Sequence, residues 1–180
     1  MKVFLNPGHA PNGDPDPGAT NNDTGLRESD VAASVGALTE RYLNDAGVDT
    51  ASIQLDDLGG ICWAANKSGA DLFVSIHCNS AEDSAALGTE VCVHPNSYVG
   101  HKLGQCIQDQ IVQSLGTVDR GLKERVPGVN GLYVLNQTDM PAVLVEMAFI
   151  SNEDDEQLLA NRQDDFARAI ARGVTDYQQE

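Results

Sequence analysis

Asp71-Leu72-Phe73-Val74-Ser75-Ile76-His77 is a nearly unbroken apolar run closed by an imidazole. A strand with one wet face alternates apolar and polar residues, whereas a continuous run marks a strand covered on both faces. Working outward, Lys2 to Leu5 reads as a first strand stopped by Pro7-Gly8, and Val48 to Ile53 as a second. Gly88 to His94, Leu132 to Leu135 and Ala142 to Val145 read as further strands. Between them, Val31, Val35, Leu38, Tyr42 and Leu43 recur at helical spacing behind a Ser29 or Asp30 cap, with Gly47 as the stop. Asp56 to Ser68 and Ser97 to Leu115 read as helices, and Glu153 to Tyr177 as one broken helix or two. Strands alternating with helices predict an α/β fold: one domain over residues 1–180, with a twisted, mostly parallel sheet of about six strands flanked by helices on both faces.

The stretch from Ala10 to Gly25 carries Pro11, Pro15 and Pro17 among Gly, Asn and Asp, so it reads as an exposed loop. A loop of that length in a compact domain is expected to be functional or disordered.

Charge narrows the function. Acidic residues number 27 against 11 basic, a formal net charge of −16. Nucleic-acid binding needs Lys and Arg to neutralise phosphates, and attachment to anionic membranes needs the same sign, so both are excluded as partners. Much of the excess falls in 14–23 and 153–165 and reads as a solvated face. No run approaches the ~20 apolar residues of a membrane span. Val3-Phe4-Leu5 is short of the ~7–15 apolar residues of a secretory signal, so the expectation is cytosolic synthesis or an excised mature domain. A monomer is assumed. Cys62, Cys78, Cys92 and Cys106 form no Cys-x-x-Cys pair and fall in apolar-periodic segments, so they read as buried reduced thiols.

Three polar residues close apolar strands: His9 after the first, His77 after Leu72–Ile76 and Glu146 after Ala142–Val145. In parallel sheets the carboxyl ends of strands are where loops diverge and sites form. A carboxylate inside Ala142-Val143-Leu144-Val145-Glu146-Met147-Ala148 is costly to bury unless it is paired or linked to a metal. On the residues alone, Glu146 is either a satisfied ion pair or a functional group, His77 either a hydrogen-bonded core histidine or a ligand, and His9 either a turn residue or a ligand. Glu28 is either a carboxylate at a helix N-terminus or the third member of a two-imidazole, one-carboxylate set that suits catalytic zinc. His94 and His101 read as a strand-end and a surface residue.

Asn6-Pro7-Gly8-His9, Gly25-Leu26-Arg27-Glu28, Ala70 to Asn79, and Pro141 to Glu146 with Phe149-Ile150-Ser151-Asn152 resemble, in order, the zinc-dependent N-acetylmuramoyl-L-alanine amidases of bacterial wall hydrolases and phage lysins. Gly88-Thr89-Glu90 and Arg120-Gly121-Leu122-Lys123 are similar to further family positions. The resemblance implies one Zn2+ held by His9, Glu28 and His77, Glu146 as the catalytic glutamate, and peptidoglycan as substrate. The implied reaction cleaves the amide between N-acetylmuramic acid and L-alanine, at the bacterial cell wall. Asn79 is read as a substrate-orienting residue, and Arg120 or Lys123 as partners of a stem-peptide carboxylate. Two departures stand out. Gly60-Ile61-Cys62-Trp63 occupy a region where the family usually has an arginine, read as a packing difference, and the Ala10–Gly25 loop is this chain's own. Another zinc peptidase acting on wall peptides, or a catalytically silent wall-binding module, are the rival readings.

Overall fold

A computed structural model describes residues 1–179. Six strands form one sheet: β1 (Lys2–Pro7), β2 (Asp49–Ser52), β3 (Leu72–Asn79), β4 (Thr89–Val93), β5 (Asp119–Glu124) and β6 (Ala142–Phe149), in the order β2-β1-β3-β6-β4-β5. All neighbours run parallel except β4 and β6, which pair antiparallel. The helices are α1 (Glu28–Asp45), α2 (Leu58–Lys67), α3 (Tyr98–Leu115), α4 (Tyr133–Gln137), α5 (Glu153–Asn161) and α6 (Gln163–Gln179).

Strand side chains alternate between faces, and the two faces have separate cores. Val3, Leu5, Val74, Ile76, Val91, Val93, Val143 and Val145 pack under α1, α3 and α6, against Val35, Ile107, Phe166 and Ile170. Phe4, Phe73, Cys92, Ala142 and Leu144 pack against Ile61, Cys62 and Ala65 of α2 and Val134 and Leu135 of α4. The first layer is made of long helices, the second of short ones. The second face is therefore left uncovered toward the carboxyl ends of β1, β3 and β6, where its row of residues turns polar: Asn6, Ser75, His77 and Glu146 follow the apolar Phe4, Phe73 and Leu144.

Several elements differ from the sequence reading. Leu132–Leu135 is not a strand: Tyr133–Gln137 is the helix α4, which buries Val134 and Leu135 against α2 and β6. A four-residue apolar run carries no period that separates strand from helix. β5 was not expected, because Asp119-Arg120-Gly121-Leu122-Lys123-Glu124 is mostly charged; as the edge strand it needs only one ladder, and charge guards its open side. Helix α1 starts at Glu28 rather than behind a Ser29 or Asp30 cap, with Arg27 as an N-cap that makes no side-chain bond. Strands β3 and β6 run on past His77 and Glu146, so both residues stand inside strands rather than after them. The tail resolves into two helices, α5 and α6. Cys62, Cys78 and Cys92 are buried, Cys106 is half-buried, and no disulfide joins them. Among the described residues no helix is long and apolar enough to cross a membrane.

Candidate functional site

His9, Glu28 and His77 meet where β1 and β3 end and α1 begins, and they offer ligand atoms that all lie within 4.8 Å of one another. Each arrives by a different local device. Pro7-Gly8 ends β1 and turns His9 into a left-handed conformation (φ 64°), unusual for a residue with a side chain. Glu28 occupies the first turn of α1, where backbone N–H groups favour a carboxylate. His77 projects from β3 directly opposite Glu146 of β6.

The buried Glu28 carboxylate is the hub. Its Oε1 lies 2.9 Å from His77 Nδ1 and accepts from the Cys78 N–H, while its Oε2 lies 3.0 Å from His9 Nε2 and accepts from the Ala19 N–H. Burial alone would raise its pKa, but the hydrogen bonds and charges of His77 and His9 hold it well below the usual carboxylate range. Burial works against a charge on His9 too, yet Glu28 and Asp16 together lift its pKa to about 9.

The outer partners fix which ring nitrogen faces inward. Asn6 points its amide donors at the carbonyls of Pro7 and Ile53, which leaves Oδ1 to accept from the Ser75 hydroxyl at 2.8 Å. With its proton committed there, Ser75 Oγ accepts from His77 Nε2 at 3.0 Å, so the inward Nδ1 carries a lone pair. On His9, Nδ1 donates to Asp16 Oδ2 at 2.7 Å, and Nε2 turns inward. Two imidazole lone pairs aimed at the oxygens of one carboxylate repel unless a proton or a cation lies between. That arrangement fits a metal ion, and outer-shell groups that orient ligating histidines in this way are a regular part of metal sites. The backbone leaves room for nothing larger around these side chains: a Cβ on Gly8 would lie 2.3 Å from His77 Cε1, and one on Gly18 2.5 Å from His9 Cδ2. Gln54 ties the cradle together by donating to the carbonyls of Gly8 and Ser29.

Beside this set, the Oε2 of Glu146 is buried and has no hydrogen-bond partner among the described residues. Burial pushes Glu146 up to about 7, with Glu28 and Glu90 adding to the rise and His77 and Arg125 opposing it. On Glu146's other side stands Glu90, paired to it across the β4–β6 ladder and bound by Arg120 Nε at 2.8 Å. A cleft of about 340 Å3 opens next to the histidines, with Leu55, Leu58, Ile61, Tyr133 and Leu144 among its walls.

Of the residues singled out from sequence, His9, Glu28, His77 and Glu146 are brought together here. Asn79 is the last residue of β3, beyond an irregularity in the ladder, and its Oδ1 accepts from the Ser80 N–H. Arg120 reaches the site's edge through Glu90, and Lys123 donates to the Arg120 carbonyl. His94 and His101 lie outside the set, the latter against Glu124 and the Ser97 carbonyl. Sequence reasoning missed Asp16, Ser75, Asn6 and Arg125. Asp16 sits inside the Pro-rich loop, which is bonded to His9 and Glu28 rather than loose.

Fold and site together define an α/β domain with a possible two-histidine, one-glutamate metal site at the carboxyl edge of its sheet. The N-acetylmuramoyl-L-alanine amidase family model matches residues 3–176, and the chain belongs to that family. It is 34% identical to the N-acetylmuramoyl-L-alanine amidase LytC of Bacillus subtilis over 97% of its own length, and spans 35% of that relative. Among solved structures, an N-acetylmuramoyl-L-alanine amidase from Clostridium difficile 630 superposes with a TM-score of 0.86 at 30% identity, covering 99% of this chain and 97% of that one. The amidase AmiC2 of Nostoc punctiforme does so with a TM-score of 0.87 at 31% identity, covering 100% and 98%.

Proposed function

We propose that residues 1–180 act as one catalytic domain that hydrolyses the amide between N-acetylmuramic acid and the L-alanine of the stem peptide in bacterial cell-wall peptidoglycan. In this reading one zinc ion is held by His9, Glu28 and His77, and Glu146 transfers the proton. The observation that carries it is the convergence of one nitrogen from each of His9 and His77 on the two oxygens of the buried Glu28 carboxylate, with the carboxyl group of Glu146 one strand away. Two imidazoles and a carboxylate are a usual catalytic zinc set, which keeps a position open. When bound, zinc supplies Lewis acidity, which acidifies water and polarises a carbonyl oxygen.

The chain's own residues do the rest. Asp16 and the Asn6–Ser75 pair hold both imidazoles in the orientation that presents a lone pair inward. Glu146 takes a proton from the attacking water and returns it to the departing amine nitrogen, without which an amide is a poor leaving group. In the metal-free protein burial raises its pKa to about 7, so this carboxyl group is able both to hold a proton and to release it. His9 and His77 line the cleft beside Leu55, Leu58 and Ile61, whose low polarity strengthens charge interactions there.

Hydrolysis of purified peptidoglycan by zinc-loaded and chelated protein, with mass analysis of the products, tests the reading. Zinc-dependent release of intact stem peptides with a free L-alanine amine is the expected result. Shortened stem peptides would replace the amidase with a peptidase, and a zinc-holding protein that cleaves nothing would leave only a binding module.

A further inference from the structure

We propose that Arg120 and Arg125, braced on Glu90, form an anion-reading subsite for the α-carboxylate of the second stem-peptide residue. The stem peptide then leaves the reacting centre across β4 toward β5, while the muramoyl side lies in the cleft over β1 and α2. The proposal rests on the amidase reading above and adds to it a direction and a selectivity.

The order of elements across the sheet sets the direction. His9 follows β1, His77 is on β3, Glu146 on β6, Glu90 on β4 and Arg120 on β5, and these strands are neighbours in that order. The metal-binding set therefore lies on one side of Glu146 and the arginines on the other. The leaving amine must lie on the side of the group that protonates it. The acyl half extends the opposite way, into the cleft walled by Leu55, Leu58, Ile61 and Tyr133. Those mostly apolar walls suit the C–H face and acetamido methyl of a sugar, and Asp16 and Asp56 beside them disfavour a carboxylate.

Charge and burial set the ligand. The chain carries a formal net charge of −16, yet here two guanidiniums share one carboxylate. Glu90 is only 5% exposed, and it accepts from Arg120 Nε at 2.8 Å and faces Arg125 Nη2 at 3.5 Å. One formal positive charge is left over, on side chains that are 35% and 27% exposed. Both are held in place: Arg120 lies 4.8 Å over the Phe149 ring, and Arg125 Nε donates to Cys92 Sγ at 3.1 Å. A single arginine would satisfy Glu90. A second, pre-positioned guanidinium beside it matches the planar, bidentate geometry of a carboxylate.

Reach selects the second residue. Adjacent strands lie about 4.8 Å apart, so guanidiniums drawn back over Glu90 stand roughly 5–10 Å from Glu146. An extended chain covers about 3.5 Å per residue, which puts the α-carboxylate of the second residue about 6–7 Å from the scissile nitrogen and that of the third beyond 10 Å.

The test compares kcat/KM of the zinc-loaded protein on two soluble muropeptides, N-acetylmuramoyl-L-alanyl-D-glutamate and its D-isoglutamine counterpart, which differ only in carboxylate against carboxamide. The wild type is expected to favour the acid by at least tenfold. Arg120→Gln and Arg125→Gln should each lose far more on the acid than on the amide, bringing the ratio toward one, and Arg125→Lys should keep part of the preference. Equal rates on both substrates for the wild type, or variants that slow both equally while their melting temperatures hold, would overturn the subsite. Cleavage of neither substrate by the wild type would remove the amidase reading itself.

Discussion

His77 and Glu146 face each other across the parallel β3–β6 ladder, so one position in the sheet delivers an imidazole and a carboxyl group to the same patch of space. Neither depends on a loop for its placement. Strand-borne groups are held more precisely than loop-borne ones, and the loop-borne residues here are fixed instead by bonds: His9 to Asp16 and to Glu28, and Asp16 also to the Gly18 N–H.

Glu146→Gln should reduce turnover about 10²–10⁴-fold, the usual scale of a lost general acid–base, while leaving zinc stoichiometry unchanged. Product release from muropeptides and metal analysis of the purified variant measure the two separately. A near-normal rate would remove Glu146 from the proton transfer.

The same substitution has a stability signature in metal-free protein. Because the folded state raises the Glu146 pKa from 4.5 to about 7, folding is favoured by its protonated form below pH 4.5 and loses that support as pH rises through 7. Gln cannot ionise, so above pH 8 the variant should be the more stable by about 3 kcal/mol, a gap that closes toward pH 4.5. Denaturant titrations at pH 8 and pH 5 report it; equal gaps at both would contradict the assignment.

His9 works in the opposite sense to Glu28 along the pH axis. Raised from 6.5 to about 9, His9 stabilises metal-free protein fully below pH 6.5 and stops doing so as pH rises through 9. Glu28, held low by the two imidazoles despite its burial, contributes above pH 4.5 and loses that contribution as pH falls further. If zinc takes the place of the His9 proton as proposed, loading at pH 7.5 should release about one proton per ion. Calorimetry in buffers of different ionisation enthalpy counts it, and no buffer dependence would mean His9 is not a ligand.

Ser75→Ala should weaken zinc binding 10–100-fold, the range seen when an outer-shell partner of a ligating histidine is removed. The chain of bonds from Asn6 through Ser75 to His77 then no longer fixes the ring. Competition against a chromophoric chelator reads the affinity, and an unchanged value would make the chain a packing feature only.

Gly18→Ala and Gly25→Ala separate backbone strain from crowding. Both glycines have positive φ, 68° and 77°, but a Cβ on Gly18 meets His9 and Glu28 within 2.6 Å, whereas one on Gly25 meets nothing within 4 Å. Each should lose about 1–2 kcal/mol from strain, and only Gly18→Ala should also lose zinc affinity. Thermal melts with and without zinc distinguish them; equal zinc dependence would deny Gly18 its place in the cradle.

The sequence by itself determined the sheet's buried strands, the alternation with helices and four polar residues that the fold gathers. Continuous apolar runs such as Leu72–Ile76 and Ala142–Val145 leave few alternatives, and a histidine or glutamate at the end of such a run is conspicuous because burial is costly. What only the tertiary structure decided lies where local signals are weak or shared. Leu132–Leu135 became helical because packing on α2 and β6, not its own period, chose its form. Charged β5 became a strand because β4 offered it a free edge. Asp16, Ser75, Asn6 and Arg125 are ordinary residues in sequence. They matter through hydrogen bonds to groups that are mostly distant along the chain, and those bonds exist only once the sheet has brought its strands into register.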